Sequence, residues 1–224
     1  MSGPLRCALF DLDGTLADTA PDMVAAINRV RRDEGLAPLP FAALRDHVSH
    51  GSAALVRLAF GADQDPADFE RRRRAFLDTY RARLCEQTRL FPGMAEVLAQ
   101  LEAAGLPWGV VTNKPAWLTD PLMAALGLGD RAACIVSGDS TPERKPHPLP
   151  LRTAAEQCAT PPGQCLYVGD AERDIAAGRR AGMTTLVAGW GYIDAGQRPR
   201  AWGADGHIDH PAQLLAWLDH RQRA

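Results

Sequence analysis

From about residue 91 onward the chain alternates between helix-like and strand-like stretches, and this alternation constrains the fold more than any other feature. Helix-periodic "MAEVLAQLEAAG" precedes the apolar run "WGVVTN", and "WLTDPLMAALGL" precedes "AACIVSGD". "PLPLRTAAEQC" then precedes "CLYVGD", and "ERDIAAGRRAG" precedes "TTLVAG". Short apolar runs between helices read as buried strands, and a repeated β–α pattern predicts parallel strands with helices on both faces. The expected fold class is therefore α/β, an open doubly wound parallel sheet. Gly105 and Gly182 stand where helix C-caps would fall.

A further strand-like run, Cys7 to Phe10, lies far upstream of this alternation. Alone it has nothing to pair with, so it must join the same sheet. The residues between read as helix: Asp22 to Asp33, "FAALRDHV", "GSAALVRLAF", and Asp65 to Glu86 with Phe69, Phe76, Leu77, Tyr80 and Leu84 at helical spacing. The expected layout is a core of residues 1–17 and 91–224, with a helical cap, residues 18–90, inserted after the first strand. The run Arg71 to Arg74 lies in the last cap helix. Successive helical residues point about 100° apart, so the run predicts a solvated face rather than one basic patch.

In open α/β sheets, ligands bind beyond the carboxyl ends of the strands. The first apolar run ends in Asp11-Leu12-Asp13, "WGVVTN" in Thr112-Asn113, and "CLYVGD" in Gly169-Asp170, while Lys145 follows the "CIVSGD" run. Pro146 is expected to open the next helix. Period-two geometry would turn Asp11 and Asp13 toward the same cleft, with Leu12 pointing away. Two carboxylates about 4 Å apart repel by roughly 4 kcal/mol at an effective dielectric of 20. A divalent cation removes that cost, and an all-oxygen donor set suits Mg²⁺. Mg²⁺ among carboxylates in turn points to a phosphate-bearing small molecule as partner.

Composition narrows the remaining classes. A net charge of −2 gives no footprint for nucleic acid or an anionic membrane surface. No apolar segment has the length of a signal peptide core or a membrane span. The five cysteines lack a Cys-x-x-Cys pair and are expected to be unpaired, with Cys7, Cys134 and Cys165 buried in strands. A cytoplasmic enzyme, monomeric or a small homo-oligomer, is expected.

"DLDGTLADT", the strand-end Thr112, Lys145 in "RKPHP", and "GDAERD" together resemble the four motifs of the haloacid dehalogenase-like superfamily, in order and across essentially the whole chain. The resemblance implies a Rossmann-like core with a cap and a phosphomonoester hydrolase that works through an aspartyl-phosphate. It implies Asp11 as nucleophile, Asp13 as general acid and base, and Thr112, Asn113 and Lys145 as phosphate-binding residues. It implies Mg²⁺ held by Asp11, the Asp13 carbonyl and Asp170, with Asp174 orienting the metal shell. Dehalogenases of the superfamily lack the second aspartate, which is present here as Asp13. β-Phosphoglucomutases carry a histidine in the cap hinge, where this chain reads Asp18-Thr-Ala-Pro-Asp-Met23. A non-catalytic binding member would be expected to have lost a motif residue, and none is lost. "VVTNKP" and "KPHPLPL" resemble phosphoglycolate phosphatases. "HVSHGS" and the tail "GWGYI…PRAWGADGHIDHPAQLL" resemble a branch acting on N-acetylmuramic acid 6-phosphate, a step of cell-wall (peptidoglycan) recycling. The amino-sugar phosphate is the expected substrate and 2-phosphoglycolate the alternative. In the cap loop, His47, Ser49 and His50 are the expected substrate contacts.

Overall fold

The computed structural model describes residues 4–222, with side chains through residue 217. Its centre is a sheet of parallel strands: β1 (Cys7–Phe10), β4 (Trp108–Val111), β5 (Cys134–Val136), β6 (Cys165–Gly169), β7 (Thr184–Ala188) and β8 (Gly206–Ile208), in the order β5-β4-β1-β6-β7-β8. Every residue of β1, β4, β6 and β7 is buried. Parallel sheets covered on both faces require this, which is why these strands read as unbroken apolar runs. Phe10 lies opposite Val110 of β4 on one side and Val168 of β6 on the other. The chain builds outward from β1 through β4 to β5, then returns to lay β6, β7 and β8 on the opposite side. The reversal opens a crevice at the carboxyl ends of β1 and β6.

Helices α5 (Met94–Ala103), α6 (Ala116–Ala125), α7 (Leu149–Gln157) and α8 (Glu172–Ala181) connect the strands, and α9 (Gln213–Gln222) follows β8. Between Asp18 and Arg89 the chain forms α1 (Ala20–Asp33), α2 (Phe41–Arg45), a 3-10 turn at Val48–His50, α3 (Ser52–Phe60) and α4 (Pro66–Ala82). The two connections to this helical insertion pair as a short antiparallel ribbon, β2 (Ala17–Asp18) with β3 (Arg89–Leu90). Asp65 caps α4 by accepting from the Ala67 N–H at 2.9 Å. Met23, Ile27, Leu55, Phe76 and Tyr80 of the insertion share one apolar cluster with Phe10, Leu12 and Leu16.

Three local expectations need correction. Helix α4 stops at Ala82, short of Glu86. Helix α7 begins at Leu149 rather than Pro146, which lies in the preceding loop after a cis peptide with Lys145. Strand β1 stops at Phe10, so Asp11 and Asp13 belong to the turn beyond it, and strand periodicity does not orient them. The arginine run behaves as a surface feature: Arg71 and Arg72 pair with Glu34, at 2.7 and 2.8 Å. All five cysteines are free thiols, and Cys7, Cys134, Cys158 and Cys165 are buried. No helix among the described residues is long and apolar enough to cross a membrane.

Candidate active site

Asp11 is the first residue beyond β1 and is almost fully buried. Its N–H donates to the Val168 carbonyl at 2.9 Å, extending the β1–β6 ladder by one residue. Its Oδ1 accepts from the Leu12 N–H at 2.8 Å and lies 2.9 Å from Lys145 Nζ. The same ammonium is 2.7 Å from Asp174 Oδ1 and donates to the Val111 carbonyl and the Tyr167 hydroxyl, at 2.9 and 2.8 Å. Lys145 therefore joins the turn after β1, the end of β4, a β6 side chain and α8 at once. Asn113 fixes its backbone from both directions: Asn113 Nδ2 donates to the Lys145 carbonyl at 3.0 Å, and the Lys145 N–H donates to Asn113 Oδ1 at 3.1 Å. The Asn113 side chain thus holds the lysine loop. Thr112 is buried beside it, and its hydroxyl accepts from the Lys114 N–H at 3.2 Å.

Asp13 faces a different set of partners. Its Oδ1 accepts from the Thr19 hydroxyl at 2.6 Å and from Lys114 Nζ at 2.8 Å. Lys114 is buried, with its ammonium 4.8 Å from the centre of the Tyr80 ring in α4. Burial works against the Lys114 charge, but Asp13 beside it outweighs that and raises the lysine pKa. Burial also pushes the Tyr80 phenol up to about 12. The sequence places Tyr80 only among the apolar residues of its helix and gives Lys114 no role. The available signal was that Lys114 stands two residues after Thr112, next to a strand end.

Asp170 follows β6, and Asp174 lies in the first turn of α8. The Asp170 Oδ2 accepts from the Tyr192 N–H and from the Ser49 hydroxyl, both at 2.8 Å. The Ser49 hydroxyl is also 3.3 Å from the Asp13 carbonyl oxygen, so that carbonyl faces the Asp170 carboxylate. Asp174 Oδ2 accepts from the Ala171 N–H at 3.0 Å, closing the first turn of α8. Gly14 makes this approach possible: its φ is +84°, and a Cβ there would collide with Asp170 Oδ2.

Asp11, Asp170 and Asp174 each bring a carboxylate oxygen within 4.8 Å of the other two. Burial, then Asp11 and Asp174, push Asp170 up to about 7. Burial and Asp174 also raise Asp11, opposed by Lys145 and Arg173. Such a set is costly as bare anions and fits a hard divalent cation with oxygen ligands. The Asp13 carboxylate stands apart from this cluster, and what Asp13 turns toward Asp170 is its backbone carbonyl.

Of His47, Ser49 and His50 in the helical insertion, Ser49 reaches these carboxylates. His50 instead meets the loop after β7, with Nε2 3.6 Å from Asp194 Oδ2 and 3.3 Å from Gln197 Nε2. His47 lies beside it, ring centres 5.8 Å apart. After β7, Trp190 Nε1 donates to the Thr15 carbonyl at 3.0 Å, and the Tyr192 hydroxyl donates to Asp18 Oδ1 at 2.6 Å. These aromatics brace the turn after β1 and the entry to the helical insertion.

Residues 8–188 match the model of the haloacid dehalogenase-like hydrolase family. A phosphoglycolate phosphatase of Xanthomonas campestris pv. campestris is 46% identical over 215 residues, 95% of this chain and 97% of its own. An N-acetylmuramic acid 6-phosphate phosphatase of Pseudomonas aeruginosa is 43% identical over 215 residues, 96% of this chain and 95% of its own. The crystal structure of a predicted phosphoglycolate phosphatase from Haemophilus somnus superposes with a TM-score of 0.85 at 30% identity, covering 95% of this chain and 97% of that one. The chain belongs to the haloacid dehalogenase-like hydrolase family and is a phosphatase of that family.

Proposed function

We propose that the protein is a Mg²⁺-dependent phosphomonoester hydrolase that forms an aspartyl-phosphate on Asp11 and acts on N-acetylmuramic acid 6-phosphate. The observation that carries the mechanism is the division of labour between the two aspartates of the first motif. Asp11 is held by the Lys145 ammonium at the end of β1, while Asp13, two residues on, is held by Lys114 and Thr19. These different surroundings support a reading in which one carboxylate attacks and the other moves a proton.

In this reading a carboxylate oxygen of Asp11 attacks phosphorus, and Asp13 protonates the departing ester oxygen. Asp13 then takes a proton from the water that hydrolyses the acyl phosphate. Lys145 and Thr112 stabilise the phosphoryl oxygens as charge develops, with Asn113 fixing the lysine loop. Bound Mg²⁺ would be held by Asp11, the Asp13 carbonyl and Asp170, with Asp174 beside them, and would neutralise charge on the transferring phosphoryl group. Residues 18–90 act as a cap hinged at the β2–β3 ribbon, and closure keeps bulk water from the phosphoenzyme until the leaving group has gone.

The sugar ester is favoured by the space beside the site. A cleft of about 580 Å³ lies between His50 of the cap and the loop after β7. A glycosyl residue fits in such a volume with room to spare, and the 43% identical Pseudomonas relative is named for the sugar phosphate. The second reading, 2-phosphoglycolate, is supported by the name of the 46% identical Xanthomonas relative. Steady-state phosphate release from a panel containing both esters decides between them. The sugar reading requires the higher kcat/KM for N-acetylmuramic acid 6-phosphate, and an equal or higher value for 2-phosphoglycolate rejects it. The protein is expected to work in the cytoplasm, with no nucleic-acid or membrane partner.

A further inference from the structure

The cleft between cap and core contains a cation that the proposed mechanism does not use. Arg173 lies in the first turn of α8, between Asp170 and Asp174, and its side chain lines the cleft together with His50, Gln197, Arg198 and Trp202. Its Nε is buried and has no hydrogen-bond partner among the described residues. The ion pairs to Asp11 and Asp174 are made by Lys145 instead. A buried Nε–H without a partner is costly, because its desolvation is not offset by a hydrogen bond, and Arg173 as a whole is only half-buried at the cleft. Burial works against its charge, but Asp174, Asp11 and Asp170 outweigh that and hold Arg173 protonated. The positive end of the α8 dipole lies at the same place, since Ala171 and Glu172 also line the cleft.

The acidic residue across the cleft does not serve as a partner for Arg173. Asp194 is engaged within its own loop, accepting from Gln197 Nε2 at 2.7 Å and from the Gly196 N–H at 2.8 Å. Arg198 adds a second guanidinium at the exposed rim. A planar guanidinium fork suits a carboxylate, which it can bind through two parallel hydrogen bonds.

We propose that Arg173 anchors a second anion subsite, one that takes a carboxylate on the leaving group of the phosphate ester. The proposal rests on the phosphatase reading and deepens it. Both esters considered above carry a carboxylate as well as a phosphate, although one is a sugar and the other a two-carbon acid. The subsite therefore selects for a doubly anionic substrate, with the phosphoryl group at Asp11 and the carboxylate at Arg173. One wall is His50 of the cap, so the subsite is complete only with the cap against the core.

The test compares N-acetylmuramic acid 6-phosphate with N-acetylglucosamine 6-phosphate, which lacks the lactyl carboxylate. Binding is measured by calorimetry on full-length Asp11→Asn protein with Mg²⁺, so the result does not depend on turnover. The carboxylated ester should bind tighter by roughly ten- to a hundredfold, the worth of a charge-assisted pair. Arg173→Gln should remove most of that difference while leaving N-acetylglucosamine 6-phosphate little changed, and Arg173→Lys should restore part of it. Arg198→Gln, at an exposed position that does not threaten folding, should reduce the difference more modestly. Equal binding of the two esters overturns the subsite. So does an Arg173→Gln protein, folded by circular dichroism, that weakens both esters alike. If discrimination survives but the wild-type protein hydrolyses neither ester, the subsite stands and the proposed substrates are rejected.

Discussion

The hydroxyl of Ser49 donates to Asp170 Oδ2 at 2.8 Å across a separation of 121 residues, and Ser49 Oγ also lies 3.3 Å from the Asp13 carbonyl oxygen. A residue of the helical insertion thus bridges two oxygens proposed above as metal ligands. A hydroxyl proton and a cation cannot use the same carboxylate lone pair, so Mg²⁺ entry must break or redirect this hydrogen bond. Ser49→Ala should tighten Mg²⁺ binding to the substrate-free protein severalfold, read by titration calorimetry. Weaker binding would instead mean that the serine oxygen is itself a ligand. In the wild type, chelation should abolish turnover and added Mg²⁺ restore it.

Replacing Asp11, the proposed nucleophile, separates chemistry from fold. Asp11→Asn keeps the side-chain size and removes a buried carboxylate whose pKa burial raises. It should lower kcat by about 10⁴ or more, the scale of other nucleophile removals, without lowering the melting temperature. Phosphate release at near wild-type rates would reject the aspartyl-phosphate.

Lys114 holds Asp13, the proposed proton-transfer group, in place. Its pair with Asp13 is largely buried, with side-chain exposures of 4% and 16%, so removing one partner leaves a charge poorly compensated. Lys114→Met should cost about 3–5 kcal/mol of stability, seen as a lower denaturant midpoint, if the pair behaves as fully buried pairs do. It should also lower kcat and displace the pH profile of kcat, because the lysine acts through Asp13. Tyr80→Phe keeps the ring over the ammonium and deletes a buried hydroxyl with no partner among the described residues. It should leave stability unchanged or slightly raised.

The raised Asp170 predicts an unusual pH dependence for the metal-free protein. Burial, Asp11 and Asp174 place its pKa at about 7, against an ordinary value of 3.8. Between these values the native state holds a proton that the unfolded chain has released, so this group makes stability fall as pH rises. The destabilisation is absent below about pH 4 and complete above about pH 7. In chelator, Asp170→Asn should therefore raise the melting temperature relative to wild type at pH 8, and the gap should close toward pH 4.5. A gap independent of pH would place the Asp170 pKa elsewhere. Mg²⁺ should reverse the order at pH 8, because only the wild type offers the full carboxylate set.

The sequence by itself determined the alternation of strands and helices, the insertion after the first strand, and the positions of Asp11, Asp13, Thr112, Lys145 and Asp170. Each of these is a local signal: apolar runs long enough for one strand, helical periodicity, and polar residues where the runs stop. The tertiary structure decided which side chains meet. Asp13 pairs with Lys114 rather than joining the carboxylate cluster, because β1 ends at Phe10 and the turn, not strand periodicity, aims its side chain. Asn113 serves the Lys145 backbone because β4 and the loop after β5 run side by side. Ser49 reaches Asp170 through the docking of the inserted helices on the sheet edge. Such pairings join residues far apart in the chain. They follow from strand order and cap placement, which a hydrophobic pattern constrains only to a family of arrangements.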